Sequence, residues 1–138
     1  MLEFNLFLID YWYFSVPLFF FIFLFAYSEM NKGGKKIEPN ELTRLVNKES
    51  AILIDLRKKE DYENGHIMTA LNYPHQEFDN QMHELEKFKD RPIILVCDMG
   101  RNSANTGEKL KKAEFKKTFR LNGGMMTWTQ ENLPVIQK

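Results

Sequence analysis

The sequence predicts a small α/β domain, with a central parallel sheet flanked by helices, preceded by one N-terminal transmembrane helix. Three observations predict this architecture. The chain has 138 residues, which suffices for one compact domain and little more. An uncharged run rich in aromatic residues occupies residues 11–27. In the rest of the chain, short apolar runs alternate with amphipathic stretches, which is typical of strands and helices alternating around one sheet.

The composition excludes several classes of protein. Lys plus Arg and Asp plus Glu number 19 each, so the formal net charge is zero, whereas nucleic-acid binders normally carry a basic excess. The single cysteine excludes an internal disulfide, and with it a disulfide-stabilised secreted scaffold. His66, His75 and His83 do not cluster with that cysteine in the sequence, so we expect no metal site. We also expect no cofactor and no nucleic-acid partner.

The N-terminal segment, residues 1–30, is predicted to be a membrane anchor. No residue from Tyr11 to Tyr27 is charged, and a helix over this run would be about 25 Å long. Since the hydrocarbon core of a bilayer is about 30 Å thick, the predicted span covers residues 9–28. Asp10 then lies near one end, where an acid costs far less than at the bilayer centre. A buried core helix is the alternative, but the remaining chain could scarcely cover so uniformly apolar a stretch.

The charges on either side of this span predict its orientation. No Lys or Arg precedes it, whereas Lys32, Lys35 and Lys36 follow it. Because positive charge stays on the cytoplasmic side, we expect a single-pass protein of the cell inner membrane with its C-terminal domain in the cytoplasm. A cleavable signal peptide would have a basic region before its apolar stretch. Residues 26–28 resemble a cleavage site only faintly, so a permanent anchor is predicted.

The first elements after the anchor follow from local signals. Residues 31–36 are polar and include a glycine pair, which predicts a linker, so the soluble domain is expected at residues 37–138. Pro39 suits the first turn of a helix, in which apolar residues spaced i, i+3 and i+4 from Leu42 share one face. The run Ala51–Ile54 is rich in β-formers and bounded by charge, which predicts a buried strand.

Two helical segments are predicted next. Residues 60–64 are expected to form one short helical turn that ends at Gly65. Phe78, Met82 and Leu85 are spaced i, i+4 and i+7, which predicts a second full α-helix.

The last elements include the clearest strand. Residues 92–96 are apolar throughout, as expected at the centre of a parallel sheet. Ser103 is predicted to be the N-cap of the helix that follows. Residues 118–121 form the last predicted strand, and a turn at Gly123 leads into a terminal helix that carries Trp128.

The cysteine occupies the position that an α/β sheet uses for ligands. Cys97 directly follows the most apolar strand, and residues 97–102 lead into the next helix, outside the carboxyl end of the strand. Loop N–H groups and the positive end of the helix dipole favour an anion there, and they favour the nucleophilic thiolate. Gly100 is able to adopt a positive φ and curl the loop inward. Taken alone, a cysteine after an apolar strand is more often a small buried hydrophobe.

Several motifs in order resemble one family. They are Ile54–Arg57, Asp61–Ile67, Ala70–Pro74, Val96–Cys97 with its short loop, and Leu121–Gly124 followed by Trp128 and Leu133-Pro134. Together they resemble the rhodanese-like domain family over about residues 37–136. With the N-terminal anchor, the chain is similar to a small bacterial membrane-attached rhodanese.

The resemblance implies sulfur transfer. Cys97 would take sulfane sulfur from thiosulfate or a persulfide donor, carry it as a persulfide, and pass it to a thiol acceptor or cyanide. The substrate-binding loop would comprise Asp98, Met99, Gly100, Arg101 and Asn102. Asp55 and Arg57 would support that loop through an ion pair; the alternative is a surface salt bridge worth under about 1 kcal/mol.

The chain also departs from the family's pattern. Asn102 stands where active members commonly have Arg, although Arg101 is available one place earlier. Asp98 puts a negative charge beside Cys97 and would repel thiosulfate. Thr69 stands where the family usually has Gly.

Two functions therefore remain open. One is a membrane-anchored sulfurtransferase, favoured by Cys97. The other is a catalytically weak rhodanese-like module that binds other membrane proteins, favoured by Asp98 and Asn102. A related phosphatase class requires a guanidinium six residues after the cysteine, but that residue is Ser103, which excludes the class.

Overall fold

The computed structural model describes residues 1–30 and 32–137, and the chain divides into two units at Asn31. The first unit contains α1 (Leu2–Asp10) and α2 (Trp12–Met30). Among the described residues, α2 is the one helix that is long and apolar enough to cross a membrane, and none of its residues is buried. It begins after the predicted start of the span at residue 9, so Asp10 lies outside it, in α1.

The second unit is built on a parallel sheet, which confirms the predicted α/β fold class. Over residues 32–137 the sheet has five strands in the order β1-β5-β4-β2-β3, and all pairs are parallel. The strands are β1 (Lys35–Ile37), β2 (Ile52–Asp55), β3 (Leu71–Asn72), β4 (Ile93–Val96) and β5 (Thr118–Leu121). The helices are α3 (Pro39–Lys48), α4 (Lys59–Asn64), α5 (Phe78–Gln81), a 3-10 helix (Met82–Phe88), α6 (Arg101–Lys112) and α7 (Gly124–Gln130).

The sheet has an apolar core on each face, and β4 contributes to both. All four residues of β4 are buried, as predicted for a central strand. Because side chains alternate along a strand, Ile94 and Val96 pack in one core, with Leu45 and Trp128. The other core contains Ile93, Leu95, Cys97, Phe78, Leu85 and Leu110. The carboxyl end of β4 is therefore held between two packed layers.

The segment predicted as one full α-helix from Phe78 is different in the structure. Only Phe78–Gln81 is α-helical, and Met82–Phe88 forms the 3-10 helix. The apolar residues Met82, Leu85 and Phe88 recur every third position, which matches the three residues per turn of a 3-10 helix. Leu85 is fully buried, so the predicted apolar face is retained.

The predicted N-cap at Ser103 is also wrong. Helix α6 already begins at Arg101, with Gly100 as its N-cap at φ +92°. Ser103 is fully buried, and its Oγ donates a hydrogen bond to the Gly100 carbonyl at 2.8 Å. Since glycine tolerates this positive φ, the loop ends early and the helix starts two residues before the expected cap.

The first strand begins within the segment expected to be a linker. Lys36 and Ile37 of β1 pair with Arg120 and Leu121 of β5. Just before β1, the Gly33 N–H donates to Glu108 Oε1 at 2.7 Å. These contacts show that Gly33 and Gly34 belong to the same unit as the sheet.

Thr69 adopts a backbone conformation that favours glycine. Its φ is +71°, in the left-handed region where a β-branched residue is strained. The glycine that the family usually has at this position therefore has a local physical reason, and Thr69 departs from it at a cost in backbone strain.

The contacts of β1 predict where an autonomous domain begins. We expect a chain that starts at Lys32 to fold cooperatively as a soluble monomer. A chain that starts at Ile37 should lose about 2 kcal/mol or more of unfolding free energy, since one buried polar group without its partner costs about 1–3 kcal/mol. Arg120 would lose the Gly34 carbonyl. Urea denaturation followed by circular dichroism measures the difference.

A matched control keeps the strand and changes only a side chain. Lys35 is exposed, so Lys35→Thr in the longer chain should alter stability by no more than about 0.5 kcal/mol. Equal stability of the two truncated chains would show that β1 adds nothing to the domain.

Candidate active site

Cys97 lies at the point where β4 turns into α6. Its side chain is 2% exposed, and its Sγ accepts a hydrogen bond from the Gly100 N–H at 2.8 Å. The sulfur thus lies beside the N-terminus of a 12-residue helix. The N–H donor and the positive end of the helix dipole both favour a thiolate or an anionic persulfide at this position.

The first turn of α7 holds the backbone of the cysteine loop. Met125 N–H donates to the Cys97 carbonyl at 2.7 Å, and Met126 N–H donates to the Asp98 carbonyl at 3.1 Å. Gly124, at φ +59°, makes this approach possible, since a Cβ there would lie 2.1 Å from the Cys97 carbonyl oxygen. Gly124 of the family motif therefore allows α7 to hold the backbone of the loop.

Asp55 and Arg57 form a largely buried pair rather than a surface salt bridge. Arg57 donates through Nη2 to Asp55 Oδ2 at 2.8 Å and through Nε to Oδ1 at 3.0 Å. The two side chains are 1% and 9% exposed, respectively. Arg57 Nη2 also donates to the Gly65 carbonyl at 2.7 Å. The surface-pair alternative does not describe this geometry.

The pair is linked to the cysteine loop in two ways. Burial lowers the pKa of Arg57, but the hydrogen bond and charge of Asp55, with the charge of Asp98, outweigh burial and raise that pKa. The negative charge of Asp98 is therefore partly offset by the Arg57 guanidinium. Leu56, which lies between Asp55 and Arg57, also bonds to β4, the strand that leads into the cysteine loop. Its N–H donates to the Val96 carbonyl at 2.8 Å.

The other predicted loop residues have different surroundings. Asp98 and Met99 are exposed, and Asn102 is half-buried. Asn102 Nδ2 lies 3.4 Å from His75 Nδ1. Arg101 starts α6, but its side chain, the predicted substitute cation, lies outside the described residues.

One cation close to this loop, Arg120 of β5, was not predicted from the sequence. Arg120 is 5% exposed and lies opposite Leu95 of β4 in the sheet register. Burial lowers its pKa, and the charges of Cys97 and Glu108 partly offset that effect. A single arginine within an otherwise uncharged short strand was the available signal, because a charge buried in a sheet needs a partner.

The described residues include no group of three or more His, Cys, Asp or Glu side chains able to hold a metal ion. His66 instead packs in the domain. Its Nδ1 lies 2.7 Å from the Tyr62 carbonyl oxygen, and its ring stacks on the Tyr62 ring at 3.7 Å between centroids.

Comparison with known proteins identifies relatives along most of the chain. The family model for the rhodanese-like domain matches residues 38–131. The uncharacterized protein YibN of Escherichia coli (strain K12) is 35% identical over 123 residues, which cover 88% of this chain and 86% of YibN. The thiosulfate sulfurtransferase GlpE of Shewanella oneidensis is 28% identical over 98 residues, which cover 71% of this chain and 95% of GlpE.

Solved structures share the fold. A rhodanese-related protein from Thermoplasma volcanium has a TM-score of 0.68 at 23% identity, over 75% of this chain and 99% of its own. A rhodanese-like domain protein from Staphylococcus aureus has a TM-score of 0.65 at 25% identity, over 75% of this chain and 98% of its own. Together with the family match, these likenesses confirm the predicted resemblance. The chain belongs to the rhodanese-like domain family, and its relatives include thiosulfate sulfurtransferases.

Proposed function

We propose that the protein is a membrane-anchored sulfurtransferase that carries sulfane sulfur as a persulfide on Cys97. The observation that carries this proposal is the position of Sγ, which accepts the Gly100 N–H at 2.8 Å beside the N-terminus of α6. A merely structural cysteine needs no such donor, whereas a sulfur that becomes anionic during a reaction is stabilised by one.

The proposed reaction has two balanced steps. The Cys97 thiolate attacks the outer sulfur of thiosulfate, a new S–S bond forms, and sulfite leaves with the electron pair of the broken S–S bond. An acceptor thiolate then attacks the outer sulfur of the persulfide, so that the acceptor becomes a persulfide and Cys97 returns to its thiolate. The carrier thus splits one transfer into two displacements.

The other candidate function, a protein-binding module of low activity, is favoured by two observations. The Cys97 side chain is 2% exposed, which restricts access to its sulfur. The exposed Asp98 adds negative charge at the mouth of the loop. Both features predict slow sulfur uptake. In this alternative, the exposed surface of the loop would contact another membrane protein.

The anchor is proposed to be α2, in the cell inner membrane, with the rhodanese-like domain in the cytoplasm. The length and composition of α2 support the span, and the lysines that follow it support the orientation. Tethering would raise the effective concentration of the domain near thiol acceptors or protein partners at the membrane.

Sulfur uptake is the direct test of the proposed function. After incubation with thiosulfate, intact-protein mass spectrometry of the full chain should show one added sulfur atom, and cyanide should remove it. Cys97→Ser should show neither the adduct nor thiosulfate:cyanide activity, because the carrier is absent. A folded wild-type protein that takes up no sulfur from thiosulfate or from any persulfide donor would contradict the proposal and favour the binding module.

The charge of Asp98 is expected to limit the rate. Asp98→Asn keeps the shape of the side chain and removes repulsion of an anionic donor. Because Arg57 offsets part of that charge, we expect kcat/KM for thiosulfate to rise only about threefold to tenfold, or about 0.7–1.4 kcal/mol. Asp90→Asn, at an exposed site before β4, is the matched control and should leave kcat/KM unchanged. A fall in kcat/KM with Asp98→Asn would mean that the carboxylate aids the reaction.

Reporter fusions test the orientation. A fluorescent reporter that matures only in the cytoplasm, fused after Lys138, should be active, and a phosphatase active only outside the cytoplasm should not. Replacing Lys32, Lys35 and Lys36 by Gln should raise the inverted fraction, since those charges hold the flank inside. Phosphatase activity of the unaltered fusion would contradict the proposed orientation.

A further inference from the structure

A small cavity of about 160 Å³ opens beside the cysteine loop, on the side that faces β1. Its walls come from the start of α6, the ends of β5 and β1, and the turn into α7. The lining residues that matter here are Lys36, Gly100, Ser103, Arg120 and Gly123. The cavity therefore lies at the carboxyl edge of the sheet, where parallel α/β sheets bind ligands.

Arg120 supplies a buried and incompletely partnered cation to this cavity. Its side chain is 5% exposed, and its Nε donates to the Gly34 carbonyl at 3.2 Å. In the described part of the chain, this Nε bond is the side-chain hydrogen bond shown for Arg120, and the salt bridges shown there do not include it. The Glu108 carboxylate acts on Arg120 through its charge, while its Oε1 accepts the Gly33 N–H. A buried guanidinium in this condition is stabilised by an anion that enters the cavity.

The charge around the cavity is complementary to an anion. Lys36 is the register partner of Arg120 on the neighbouring strand and also lines the cavity. No lining residue is acidic. Gly100 belongs both to the cavity wall and to the loop that bonds Cys97 Sγ, so the cavity adjoins the loop that carries the cysteine.

We propose that this cavity is a binding site for a small oxyanion held by Arg120 and Lys36, and that its occupant is sulfite. The choice of sulfite rests on the proposed sulfur transfer, which releases it at the neighbouring loop. Binding of an oxyanion by itself does not rest on that reaction. A guanidinium pairs with two oxygens of one anion at once, and the volume leaves room for sulfite with water.

Calorimetric titration of the full chain in nonionic detergent tests the site without turnover. Sodium sulfite is titrated into reduced protein at constant ionic strength, and inorganic phosphate is titrated in a parallel arm. We expect one saturable site for sulfite that weakens at least tenfold in Arg120→Met and about threefold in Lys36→Met. Lys112→Met removes an exposed charge from the last turn of α6 and should leave the affinity unchanged.

The outcomes separate the possible errors. Unchanged sulfite affinity in a folded Arg120→Met protein would overturn the site. If that variant and Arg120→Gln both fail to fold, Lys36→Met decides, and unchanged affinity there overturns the site. Phosphate binding more tightly than sulfite would overturn the choice of occupant.

The result also remains distinguishable from failure of the proposed function. Wild-type protein that gains sulfur on Cys97 but binds no sulfite would contradict the cavity and leave sulfur transfer standing. Wild-type protein that binds sulfite through Arg120 but never gains sulfur would contradict sulfur transfer and support the anion site.

Discussion

The packing of the first turn of α7 against the backbone of Cys97 fixes the geometry on which the site depends. Two α7 amides donate to the carbonyls of Cys97 and Asp98, at 2.7 and 3.1 Å. That approach requires glycine at position 124, because a Cβ would overlap the Cys97 carbonyl. Both carbonyls point toward α7, and on the same loop the Gly100 N–H donates to Cys97 Sγ. Gly124, near the C-terminus, thus allows the contacts that hold the backbone of a loop that precedes it in the chain.

The charges near the sulfur come from the strands beside β4 as well as from the loop. Arg57 follows β2 and is fixed by Asp55, and Arg120 lies on β5. Arg120 is buried and the Arg57 side chain is 9% exposed, so packing within the domain restricts both guanidinium groups. Asp98 carries a negative charge on the exposed loop, and that charge is partly offset by Arg57. This balance is the reason that we expect anionic donors to react slowly at Cys97.

Much of the fold was predictable because local patterns and tertiary packing agree. The apolar run of β4 and the cysteine that follows it specify the centre of the sheet, and the ordered motifs specify the family. Strand β1 escaped prediction because its two lysines and the preceding glycines have the composition of a linker. Its place in the sheet depends on contacts with β5 and α6, which lie far along the chain. Arg120 was missed for the same reason, since Gly34 and Cys97 meet it only in the folded domain.

A crystal structure of the protein after exposure to thiosulfate tests the central claim most directly. We expect one additional sulfur atom bonded to Cys97 Sγ, within hydrogen-bond distance of loop N–H groups that include Gly100, while the Met125 N–H still contacts the Cys97 carbonyl. An ordered loop with an unmodified Sγ would contradict the assignment of Cys97 as the sulfur carrier.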